Sequence, residues 1–174
     1  MIWISVTSLT FLLLIALSDI KTRQIPIIFL WGETIASFYL GYNLIGISIM
    51  KSTITNFVII TFQILMLWGW IKIIGGKSGN NLWSKFGKGD FFMLAISAIN
   101  LSAMNYLFFT IFVCLTSIII WIGFTSIQKI KNQTIPFASF IAIGIMVLRI
   151  IQLAGNGANY YSDNFILNLI YGIY

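Results

Sequence analysis

Long runs of hydrophobic residues, cut by short polar segments, set the pattern of this chain. The runs are close to the ~20 residues that a helix needs to cross a hydrocarbon layer. They predict six helices. The first covers about Ile2 to Ser18, and a polar loop from Asp19 to Gln24 follows it. The second starts near Ile25-Pro26 and reaches about Ile45; the third runs from about Ile54 to Ile74. A longer polar loop, Gly75 to Gly89, leads into the fourth, from Asp90 to about Leu101. Only a short break, Asn100 to Asn105, separates that helix from the fifth, about Tyr106 to Ile127. The sixth starts near Ile135-Pro136 and ends near Ala154. The tail, Gly155 to Tyr174, is polar first and apolar last, too short to span, and is expected at the interface. Pro26 and Pro136 each follow an isoleucine after a basic loop. Proline is at ease in a first helical turn, where its missing N–H would be unpaired anyway, so both are expected to start helices.

Composition turns the pattern into a class. Of 174 residues, 59% are hydrophobic and 8% charged. That balance points to an all-α polytopic membrane protein, a bundle of about six transmembrane helices forming one domain over residues 1–174. The N-terminus, Met1-Ile2-Trp3-Ile4, has no basic segment and no small-x-small cleavage site before Asp19, so it reads as a retained first span. The single cysteine, Cys114, lies in an apolar run. It excludes an internal disulfide and a cysteine-rich zinc site, and is expected to be a small buried residue. There is no histidine. That excludes histidine metal sites and Ser-His catalysis; no metal and no cofactor is expected.

Charge then orients the chain. The net charge is +6, but the basic residues are dispersed between apolar segments, which argues against a nucleic-acid partner. Lys21, Arg23, Lys72, Lys77, Lys85, Lys88, Lys129 and Lys131 fall in or beside alternate loops; only Lys51 and Arg149 lie toward the other side. The positive-inside rule assigns the basic loops to the cytoplasm and both termini to the outside. Only four acids are present, Asp19, Glu33, Asp90 and Asp163. Asp19 closes the first predicted helix and Asp90 opens the fourth, so both are expected at the same cytoplasmic face.

Asp90 ends the stretch Gly87-Lys88-Gly89-Asp90. Alone, such a stretch is ordinary loop and cap chemistry. Taken with Asp19, the Ile25-Pro26 that follows it and Ile135-Pro136-Phe137-Ala138, it resembles the type IV prepilin peptidases, membrane aspartyl proteases with a Gly-x-Gly-Asp motif. The resemblance runs in order over nearly the whole chain. Two positions depart from it: Ile27 stands where the family often has asparagine, and Phe92 where it often has lysine. Larger members carry an N-terminal domain with two Cys-x-x-Cys pairs and an N-methyltransferase activity; this chain resembles the short, peptidase-only form. The resemblance implies a precursor of a pilin or pseudopilin as substrate and partner, with a short basic leader, a glycine at the cut and an apolar helix. It also implies an enzyme of the cytoplasmic membrane, working among lipids with its site facing the cytoplasm.

The carboxylates suit that chemistry by themselves. Two close aspartates do not both ionise easily, so they share a proton. One takes a proton from water and the other protonates the peptide carbonyl. Helix-end placement favours Asp90 as the base and Asp19 as the acid. Gly87 and Gly89 are expected to allow a close substrate backbone and unusual φ values. Glu33, about two turns into the second helix, is expected to have a structural or supporting role, with Lys72 as its partner. Arg149 is expected to snorkel to the outer headgroups, and Trp3, Trp68, Trp70 and Trp83 to mark interfaces. The glycine-rich stretch Gly75 to Asn81 lacks the full phosphate-loop pattern. Two competitors fit the residues less well. A presenilin-like enzyme has tyrosine before its first aspartate where Ser18 stands here, and Ser84-Lys85 are neighbours that do not face each other productively. The alternative outside proteolysis is a small transporter or scaffold using Asp19, Asp90 and Glu33 as an ion path.

Overall fold

The computed structural model describes residues 2–74, 87–128, 136–154 and 159–163. The expectations for the loop before Gly87, including Lys77, Trp83, Ser84 and Lys85, fall outside these residues, as do those for Lys129, Lys131 and Ile135 and for most of the tail. The side chain of Trp70 also lies outside them.

Six α-helices make up the described fold: α1 (Ile2–Thr22), α2 (Ile27–Ile45), α3 (Ser48–Ile74), α4 (Lys88–Asn100), α5 (Ala103–Gln128) and α6 (Phe137–Leu153). Three of them contain spans long and apolar enough to cross a membrane: Ile2–Thr22, Ser48–Gly69 and Ala103–Ile120. The chain is therefore an all-α membrane bundle. α4 has 13 residues, about 20 Å of helix. It lies inside the bundle against α2, α3 and α6, and α6 packs most extensively on α1. Large apolar side chains such as Trp3, Leu13, Phe62, Phe112 and Ile119 point outward, as they do where lipid is the solvent.

The helix ends have identifiable causes. α1 continues one turn past its expected end because Arg23 adopts the left-handed conformation (φ 56°) and its N–H donates to Asp19 O at 3.1 Å. This is a helix stop usually made by glycine. Asp19 thus lies within the last turn of α1 and not beyond it. α3 begins at Ser48, earlier than expected, because Gly46 turns the chain at φ 61°. Pro26 and Pro136 stand immediately before α2 and α6, as expected, and their carbonyls accept N–H bonds from Phe29 and Ser139.

The break after α4 is anchored from two sides. Asn56 of α3 donates to the carbonyls of Ala98 and Leu101. Ser102 N–H and the Asn105 side chain both donate to Tyr160 O. Asp163 Oδ1 accepts from Met104 N–H at the start of α5, satisfying one of the donors a helix start leaves open. The described part of the tail is therefore buried in the bundle at Tyr160 and Tyr161, not laid on the interface.

Candidate active site

Three helices turn stripes with polar ends into the bundle. On α1 the stripe reads Ser8, Leu12, Ile15, Asp19; on α6 it reads Ser139, Ala142, Ile145, Arg149. On α4, Asp90 is followed by Met93, Ser97 and Asn100. Spacings of three and four keep each set on one helical face. Each stripe has a polar residue at either end and mainly apolar ones between. Ser139 and Arg149 are ten residues apart, about 15 Å along the helix. The bundle therefore buries two separate polar clusters with a mainly apolar layer between them.

The first cluster gathers Asp19 and Asp90 at the start of α6. Ser139 N–H donates to Asp19 Oδ2 at 2.9 Å, and Ser139 Oγ lies 2.6 Å from the same oxygen. The adjacent amide, Ala138 N–H, donates to Asp90 Oδ1 at 2.9 Å. Gly87 N–H donates to Asp90 Oδ2 at 3.0 Å, while Asp90 N–H donates back to Gly87 O at 3.1 Å. Consecutive amides of one helix N-terminus thus hold one carboxylate each, the Ser139 N–H being shared with Pro136 O, at a helix end whose dipole favours negative charge. Burial, and to a lesser degree the charge of Asp19, pushes the Asp90 carboxyl above its ordinary range, while the Gly87 and Ala138 amides and Arg23 act against that. Asp19 is 7% exposed, and Asp90 is half-buried.

The unusual φ values expected at Gly87 and Gly89 are not found. Gly87 has an ordinary extended backbone, φ −68° and ψ 147°, and its amide serves Asp90. Gly89 lies in the first turn of α4, and a Cβ there would meet Ile25 Cδ1 at 2.8 Å. Its absence lets Ile25, just before Pro26, close over α4. Neither glycine has a positive φ.

The second cluster corrects two expectations. Glu33 pairs with Arg149, not Lys72: Arg149 Nη2 lies 3.9 Å from Glu33 Oε1, and both side chains are fully buried. Arg149 does not snorkel outward. It donates to Asn100 Oδ1, Ser37 Oγ and Tyr161 Oη. Glu33 Oε1 accepts from Ser8 Oγ at 3.0 Å and Ser37 Oγ at 2.7 Å. Lys72 is exposed, with its ammonium 4.8 Å from the Trp68 ring centre. Cys114 is also exposed, against the expectation of burial. It lines an apolar cavity of about 420 Å3 between α3, α4 and α5 that includes Phe91 and Phe137, the neighbours of Asp90 and Ala138. Among the described residues no group of His, Cys, Asp and Glu is arranged to hold a metal ion.

Ser139 is the residue of the first cluster that sequence reasoning missed. Its only sequence signal is its place three residues after Pro136, in a first helical turn. Comparison with known proteins gave no match: no family model, no curated protein and no solved structure matches the chain.

Proposed function

We propose that the chain is a membrane aspartic endopeptidase with Asp19 and Asp90 as its catalytic pair. The observation that carries this reading is the sharing of one helix start: Ala138 N–H holds Asp90 and Ser139 N–H holds Asp19. Distant parts of the sequence supply the two acids, and neighbouring amides bring them to one point. In the reaction, one aspartate, as carboxylate, takes a proton from a water molecule. The resulting hydroxide oxygen bonds to the peptide carbonyl carbon, while the other aspartate gives its proton to the carbonyl oxygen. The diol then collapses: one of its hydroxyls returns a proton to the aspartate that had given one, the C–N bond breaks, and the other aspartate passes its water-derived proton to the leaving nitrogen. The pair ends with one proton, as it began.

The proposed substrate is a prepilin or pseudopilin precursor cut at the cytoplasmic face of the inner membrane. The Gly-x-Gly-Asp and Ile-Pro resemblance supports it, and the apolar cavity beside Phe91 and Phe137 suits an apolar segment next to the cut. The ion-path alternative receives less support. A mainly apolar layer of Leu12, Ile15, Met93, Ala142 and Ile145, interrupted by Ser97, whose hydroxyl donates to Leu94 O, lies between the aspartates and Glu33. The test is cleavage of a prepilin in membranes that contain the wild-type chain or the Asp19→Asn or Asp90→Asn variant.

A further inference from the structure

The two aspartates differ in the kind of partner that holds them. Both hydrogen bonds described to Asp90 come from backbone N–H groups, of Gly87 and Ala138. A backbone N–H only donates, so it serves a carboxylate and has nothing to offer a carboxyl proton. Asp19 is held by one N–H and one hydroxyl, both from Ser139. A hydroxyl donates and accepts.

Ser139 Oγ has a single hydrogen and two oxygens within reach, Asp19 Oδ2 at 2.6 Å and Ala16 O at 3.2 Å. The carbonyl of Ala16 can only accept. Two arrangements therefore satisfy the same heavy-atom positions. When Asp19 is a carboxylate, the hydroxyl donates to Oδ2. When Asp19 carries a proton on Oδ2, that proton goes to Ser139 Oγ, and the hydroxyl turns to donate to Ala16 O. No atom needs to move except hydrogens. The side chain is 1% exposed, so water does not compete for either position.

We infer that Ser139 is a positioning residue that lets Asp19 alternate between carboxylate and carboxylic acid as the pair passes its proton. This inference rests on the proposed peptidase reading for its catalytic meaning. Its structural core, a hydroxyl that adapts to the protonation of Asp19, does not need that reading.

The test joins kinetics to infrared spectroscopy on the full chain in lipid, with aspartate selectively carbon-13 labelled so that Glu33 does not contribute. Wild type shows a protonated-aspartate C=O stretch. In Ser139→Ala the stretch moves to higher frequency, as that of a carboxylic acid does on losing a hydrogen-bond partner, and Ser139→Thr restores it. Prepilin cleavage by Ser139→Ala loses about 10- to 100-fold in kcat with KM little changed, and Ser139→Thr recovers most of the loss. If Ser139→Ala does not fold, Ser139→Cys, of similar volume and with only a weak donor, replaces it. A missing band in wild type, a band indifferent to the loss of the hydroxyl, or a variant that changes KM alone overturns the inference. A wild-type chain that cleaves nothing but shows the Ser139-dependent band overturns the peptidase reading and leaves the adaptive hydroxyl standing.

Discussion

At the scale of single residues, Asp19 and Glu33 are both buried acids, yet they are held in different ways. Asp19 is held by neutral donors beside a second acid, and Glu33 by an arginine and two serines. The first arrangement sets two acids at one helix start; the second sets an acid against a buried cation. A buried ion pair stripped of one member leaves an uncompensated charge, at a cost of about 3–5 kcal/mol. Glu33→Gln and Arg149→Met are each expected to lower unfolding stability in detergent by about that much. The double variant should lose clearly less than the sum, because neither charge is then left alone. Additive losses would mean that the two residues act separately. Asp19 and Asp90 could be read in the sequence because acids are scarce and each stands beside a Gly or Ile-Pro signal. The Glu33–Arg149 pair could not be read, since the partners lie on helices far apart in the chain, and Arg149 near a helix end resembles a snorkelling residue. Ser139 is an ordinary serine until the fold brings Asp19 to it.

At the scale of elements, the start of α6 is the part on which the site depends, and α4 delivers Asp90 to it. α4 is short and is held at its far end by α3, where Asn56 satisfies the carbonyls of Ala98 and Leu101. Asn56→Leu keeps the branched shape but removes the amide donor from both carbonyls, leaving Leu101 O with Ser52 Oγ alone. Its expected cost is about 1–3 kcal/mol in unfolding experiments, with earlier hydrogen exchange in α4 than in α1. Equal protection of α4 in wild type and variant would contradict the anchoring role. The six helices were legible from the spacing of polar segments and the two prolines. Several of their ends were not. Arg23 stops α1 in a conformation that sequence assigns first to glycine, and the anchoring of the α4–α5 break by Tyr160 and Asp163 depends on tertiary contact.

At the scale of the whole molecule, apolar side chains cover the outside of the bundle, and its largely apolar interior also holds the Asp19–Asp90 and Glu33–Arg149 clusters. The proposed orientation places the Asp19–Asp90 end in the cytoplasm. In a Cys114→Ser background, Ile47→Cys is expected to react with a membrane-impermeant maleimide added to intact cells, whereas Gln24→Cys reacts only after permeabilisation. The opposite labelling would invert the topology and remove the site from the cytoplasmic face. The charge alternation behind this orientation was legible in the sequence; the depth and pairing of the charges within the bundle were not. The central claim is that Asp19 and Asp90 form one catalytic unit. Its most direct measurement is prepilin cleavage in membranes carrying wild type, Asp19→Asn or Asp90→Asn at equal, folded amounts. The account predicts processing by wild type and a loss of at least about 100-fold in either variant. Cleavage at a wild-type rate by either variant would contradict it.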